Sequence, residues 1–114
     1  MSVKSKIKDN IGIITLKGKL MGVPDTDLLH DEVRSFLGEG INRIVIDLDN
    51  LKWLNSIGIG AVMRCYTSVK NRDGEIKLSR LSGKTRSVFE ITELINVFKI
   101  HDSINQAVHS FSKN

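Results

Sequence analysis

One cysteine, one proline and one tryptophan occur in 114 residues, and aromatic side chains make up only 5% of the chain. A lone thiol, Cys65, cannot close a disulfide within the chain, which fits a reducing compartment and predicts a cytoplasmic protein. So few aromatics leave isoleucine, leucine and valine to build the core. No apolar run approaches the ~20 residues needed to cross a bilayer, and the opening MSVKSKIKDN lacks the apolar stretch of a secretion signal. What is present, 40% hydrophobic and 26% charged residues, is ordinary for a globular protein. The length suits one domain, expected to span residues 1–114.

Positive charge is in slight excess, with 17 basic against 13 acidic residues and a net +4. The lysines and arginines are scattered except for Lys4, Lys6 and Lys8, which alternate and so share one face of an extended segment. Lysines placed in that way protect a sheet edge from pairing with other chains. No aromatic residues lie between them to stack on bases, as single-strand binders require. Nucleic acid is therefore not an expected partner.

The chain is organised around residues 41–60. Ile44-Val45-Ile46-Asp47-Leu48 puts apolar residues at adjacent positions, the mark of a strand buried on both faces. After a short polar connection, Leu54-Asn55-Ser56-Ile57-Gly58-Ile59-Gly60 leads into a helix reaching about Asn71, with Ile59, Val62, Cys65, Tyr66 and Val69 inward. Asn55 and Ser56 both favour the N-cap, where a side-chain oxygen accepts from amides that have no partner inside the helix.

Upstream, residues 7–8 and 11–17 flank Asp9-Asn10 as an opening hairpin, and residues 18–22 break the pattern. Pro24 suits the first turn of a helix that carries Leu28, Leu29, Val33, Phe36 and Leu37 on one face and ends near Gly38 and Gly40. Downstream, Arg72-Asp73-Gly74 reads as a turn and residues 75–81 as a strand. Ser82-Gly83 starts a short helix with Val88, Phe89 and Leu94, and residues 95–100 form a last strand. Asp102-Ser103 caps a helix bearing Ile104, Ala107, Val108 and Phe111. The order β-β-α-β-α-β-α-β-α predicts an α/β fold, a mostly parallel central sheet with helices packed on it. In such sheets ligands and partners meet the carboxyl ends of the strands, which is where Ser56 falls.

Several chemistries fail on spacing. Ser82-Gly83-Lys84-Thr85 matches the end of a phosphate-binding loop, but the position that needs its first glycine is Leu78. Gly58-Ile59-Gly60 follows a strand and opens a helix as a dinucleotide fingerprint would, yet the third glycine position is Met63. His30, His101 and His109 lie on separate elements without a local ligand partner, so no metal site is expected. Cys65 falls on an inward helix face, as a packing residue does. Ser56 has no histidine or lysine close in sequence to act as its base. No catalytic set and no cofactor are expected. Two readings of Ser56 stay open: a helix cap, or a phosphoacceptor whose phosphate would meet unpartnered amides and the positive end of the helix dipole.

The run Ile46-Asp47-Leu48-Asp49-Asn50-Leu51-Lys52-Trp53-Leu54-Asn55-Ser56-Ile57-Gly58-Ile59-Gly60 resembles the signature of STAS domains, in particular that of bacterial anti-sigma factor antagonists. Their pattern is a strand ending in Asp-Leu, a spacer with an aromatic residue, then Asp-Ser-Ser-Gly-Leu-Gly opening a helix. Gly18-Lys19-Leu20 and Ala107 agree with it, and the resemblance covers nearly the whole chain. It implies a binding module rather than an enzyme. The unmodified antagonist would bind an anti-sigma factor, a protein of kinase-type ATP-binding fold, and so release a sigma factor for transcription. That partner would phosphorylate the first serine of the signature, Ser56, and break the complex, and a serine phosphatase would reset it. ATP would belong to the partner.

The family pattern is varied at three positions. Asn55 replaces an aspartate, Ile57 a second serine or similar small residue, and Met21 an aspartate that often follows the Gly-x-Leu. The loss of two carboxylates leaves a more neutral surface, which eases the addition of phosphate electrostatically. The docking surface implied by the resemblance comprises Met21, Gly22, Pro24, Asp25 and Thr26, together with Asn55, Ser56, Ile57, Gly58, Gly60, Met63 and Arg64. The alternative within the family is a STAS subunit of a membrane transport assembly, which would dock without being phosphorylated.

Overall fold

Asp9 and Asn10 both take positive φ, 54° and 65°, the two-residue turn whose twist matches antiparallel strands. In the computed structural model, which describes residues 1–112, this turn folds β1 (Ser2–Lys8) back on β2 (Ile11–Leu20) with Lys8 opposite Ile11. From β2 onward a helix follows each strand: α1 (Asp25–Gly38), β3 (Arg43–Leu54), α2 (Ser56–Lys70), β4 (Glu75–Ser79), α3 (Gly83–Ile91), β5 (Lys99–His101) and α4 (Ile104–Phe111). The sheet order is β1-β2-β3-β4-β5, parallel from β2 to β5 with β1 as an antiparallel edge. Element order and sheet type are those predicted. The single-domain reading over 1–114 reaches two residues beyond the described ones.

The central strand separates two apolar layers. Ile44, Ile46 and Leu48 face a large core with Ile14, Leu16, Leu29, Val33, Val62 and Cys65, beneath α1 and α2. Val45 points the other way, to Ile11, Ile13 and the inner face of α4, Ala107, Val108 and Phe111. Asp47, on that second side, is also fully buried. A strand covered on both faces reads as a continuous apolar run, which is why residues 44–48 stood out in the sequence.

Several boundaries differ from the prediction. β2 does not stop at Gly18, because a bulge between Gly18 and Lys19, with Gly18 at φ 108°, lets the pairing continue to Leu20. β3 continues likewise through the supposed polar connection, pairing Asn50 with Lys17 and Leu54 with Leu20. β4 ends at Ser79 because Arg80 adopts φ 57°. Leu28 is exposed, since Leu29, Val33, Phe36 and Leu37 already fill the buried stripe of α1. Leu94 lies in a separate 3₁₀ turn, Leu94–Asn96, and β5 is only three residues long. Phe98, between them, is buried and packs edge-on against Tyr66 and Phe89, with ring centroids 5.3 Å and 6.1 Å away.

Candidate functional site

β2 and β3 end side by side, with Leu20 opposite Leu54, so Met21 and Asn55 leave the sheet as neighbours. The Asn55 side chain joins the two exits. Its Oδ1 accepts from the Gly58 amide at 3.0 Å, which makes Asn55 the N-cap of α2, and its Nδ2 donates to the Met21 carbonyl at 3.1 Å. An aspartate can cap equally well but has no proton to give Met21, so asparagine at this position serves both elements. Gly58 sits directly over the end of β2, where a Cβ would lie 2.1 Å from the Leu20 carbonyl oxygen. Only glycine allows the first turn of α2 to approach so closely.

With Asn55 acting as the cap, Ser56 is the first helical residue and is exposed. Of its two readings, the cap belongs to its neighbour. The amides of Ser56 and Ile57 have no acceptor within the helix, and the first turn contains no acidic side chain. The positive end of the dipole is therefore not offset locally. The first turn of α1 differs in carrying Asp25 and Asp27.

Around Ser56 the surface is neutral and largely apolar. Ile57 (58% exposed), Met21 (43%) and Val23 (75%) project from the two loops. Pro24, Gly60 and Arg64 are exposed, while Gly22, Asp25, Asn55 and Met63 are half-buried. Nothing lies within 4 Å of a Cβ built on Gly60, so that side of α2 is open. Thr26 and Gly58, both expected on the docking surface, are instead buried. Thr26 turns inward with the core stripe of α1, and Gly58 is pressed on β2. Val23 and Leu28 were missed as exposed apolar residues. Val23 lay within the loop already singled out, whereas no sequence signal separates Leu28 from its buried neighbour Leu29.

The other candidates have structural duties. Burial pushes the Cys65 thiol up to about 12, which leaves no thiolate at neutral pH. Thr85 of the incomplete phosphate-binding motif is buried and donates to the Leu51 carbonyl at 2.9 Å. His30 and His101 each contact a serine hydroxyl, Ser68 at 3.2 Å and Ser110 at 3.3 Å. Burial first, and then nearby cations, hold both imidazoles below their ordinary range. Ser110 also accepts from Lys77, a buried lysine on β4 whose pKa is lowered by desolvation.

Fold and corner together define an α/β domain with an exposed serine at a strand-to-helix junction. The STAS domain model matches residues 2–107, and the chain belongs to the STAS domain family. A Bordetella bronchiseptica protein named as the anti-sigma factor antagonist BtrV is 27% identical over 103 residues, covering 90% of this chain and 88% of BtrV. Among solved structures, a Thermotoga maritima protein named as an anti-sigma factor antagonist superposes with a TM-score of 0.85 at 24% identity, over 95% of this chain and 92% of that one. The Bacillus cell fate determinant SpoIIAA in its phosphorylated form gives 0.76 at 17% identity, over 96% and 99%. At these identities the two structures speak for the fold.

Proposed function

We propose that this chain is an anti-sigma factor antagonist switched by phosphorylation of Ser56. The observation that carries the proposal is the division of labour at the corner: Asn55 caps the helix, and Ser56, one residue on, is exposed at the positive end of α2. The unmodified protein docks on an anti-sigma factor through the neutral rim, with Met21, Pro24, Ile57, Gly60, Met63 and Arg64 flanking Ser56 and with Gly22, Asp25 and Asn55 behind them. Val23 adds apolar area to that rim.

Phosphorylation brings roughly −1.5 to −2 charges to the middle of it. The unpartnered amides of the first turn accommodate that charge, so the fold persists. A partner seated on Met21 and Ile57 would have to desolvate a dianion, so the complex dissociates. The γ-phosphoryl group of ATP passes to the Ser56 oxygen as its bond to the β-phosphate breaks and ADP leaves, and the hydroxyl proton goes to a base of the partner. ATP binding and transfer chemistry thus belong to an anti-sigma factor of kinase-type fold, and a serine phosphatase reverses the step. The chain serves as substrate and binding module rather than enzyme, in the cytoplasm, as one domain.

Titration of the cognate anti-sigma factor with the unmodified protein and with Ser56→Asp tests this reading. The variant should bind at least tenfold more weakly while its melting temperature stays within a few degrees. Equal binding, or a variant that unfolds, would refute it.

A further inference from the structure

Neither β1 nor β2 contains an aspartate or glutamate, and the pairing of the two strands gathers their lysines. Lys4, Lys6 and Lys8 are cross-strand partners of Thr15, Ile13 and Ile11, and Ser2 pairs with Lys17. Paired residues share a face, so these lysines all lie on the side of the sheet that carries α4, together with Lys19. That helix packs over β3, β4 and β5 and leaves β1 and the carboxyl half of β2 uncovered. Lys8 borders it, bonded to Asn105 at 2.9 Å. Further along, Lys19 is the cross-strand partner of Trp53, the only tryptophan of the chain, which is 37% exposed.

All five lysines are exposed. Alternate residues on a strand are about 7 Å apart, inside the ~8 Å Debye length at physiological salt, so their fields add. With these five set aside, the remaining 12 basic residues face 13 acidic ones, so the rest of the chain is close to neutral and the excess positive charge lies on this face. The bordering carboxylates are Asp9 in the hairpin turn and Asp49 on β3, and Asp49 is drawn to Arg80 at 3.5 Å.

We propose that the open face of β1 and β2, with Lys4, Lys6, Lys8, Lys17 and Lys19 and with Trp53 at its end, docks on an anionic phospholipid bilayer. Lysine is depleted where proteins bind one another. Its compact charge suits a diffuse negative surface, whereas discrete phosphates on nucleic acid are gripped better by the forked donors of arginine, and this face has no arginine. Tryptophan is the residue type that settles at headgroup level. The body of α2 packs on the opposite side of the sheet, and the Ser56 corner adjoins only the Lys19–Trp53 end of this face.

Trp53 supplies the reporter. The full chain is mixed with phosphatidylcholine vesicles with and without phosphatidylglycerol, and both sedimentation and the tryptophan emission are followed. Binding should require phosphatidylglycerol, shift the emission to the blue and reverse at high salt. Each lysine removed should cost about fivefold, so a Lys4→Gln, Lys6→Gln, Lys17→Gln, Lys19→Gln variant should lose several hundredfold. A control variant with Arg34, Lys70, Arg72 and Lys84 changed to Gln has the same net charge and should bind within a few-fold of the parent. All these positions are exposed, and circular dichroism checks that both variants fold. No binding to phosphatidylglycerol, equal losses in the two variants, or retention of this face by polyglutamate or duplex DNA but not by vesicles would each overturn the proposal.

Discussion

Two corners of the molecule have the same construction and opposite contents. At each, a parallel strand ends and a helix begins, β3 into α2 and β4 into α3. The second corner is charged. Fully buried Asp47 accepts from Ser79 Oγ at 2.9 Å and from Arg80 Nε and Nη2 at 2.9 Å and 2.7 Å, and Arg80 also reaches Asp49. The hydrogen bond to Asp47 raises the Arg80 pKa further. Its serine, Ser82, is the N-cap by position but makes no side-chain cap bond, and it borders a cleft with Asp49, Arg80, Arg86 and Asp102. At the first corner a neutral amide, that of Asn55, does the tying, and apolar side chains surround Ser56. Exposure of a hydroxyl therefore does not single out a site. The neutral rim around Ser56, able to be covered by another protein and then spoiled by charge, is what sets it apart.

The largest expected effect breaks the charged corner. Asp47→Ala leaves Arg80 and Ser79 without their acceptor and should destabilise the protein by about 3 kcal/mol in urea unfolding. Partner binding should survive at temperatures where the variant is folded, because the Ser56 rim takes nothing from Asp47. A variant that folds and no longer binds would show the corners to be coupled.

How much of this contrast was legible beforehand differs from residue to residue. Ser56 stood out because Asn-Ser follows a strongly apolar run and precedes helical spacing. The continuation of β3 to Leu54 did not, since Asp49, Asn50, Lys52 and Trp53 are exposed and give no buried alternation to read. Asp47 inside a buried run required a partner, but Arg80 is 33 residues away and reaches it from a backbone conformation, φ 57°, that arginine rarely takes. Lys17 looked scattered because only the register with β1, where it pairs with Ser2, brings it near Lys4, and Lys19 follows on the same face beyond the end of that pairing.

Next in size is a glycine pair on α2. Gly58→Ala drives a methyl into the Leu20 carbonyl and should cost about 1–3 kcal/mol, with partner binding falling as the corner shifts. Gly60→Ala, with open space around it, should raise the melting temperature slightly through helix propensity while weakening partner binding. Equal stability changes for the two would remove the case for a tightly seated first turn.

A smaller effect separates the two caps. Asn55→Ala should cost about 1 kcal/mol in urea unfolding, whereas Ser82→Ala should stay within about 0.5 kcal/mol. The reverse order would mean that Asn55 does not hold its corner.

The most direct measurement is the site of phosphate after incubation with the cognate anti-sigma factor and ATP, read by mass spectrometry of peptides. One phosphate on Ser56, lost in Ser56→Ala and unaffected by Ser82→Ala, is the predicted result. Phosphate on Ser82, or on any residue that still accepts it when Ser56 is alanine, would contradict the account.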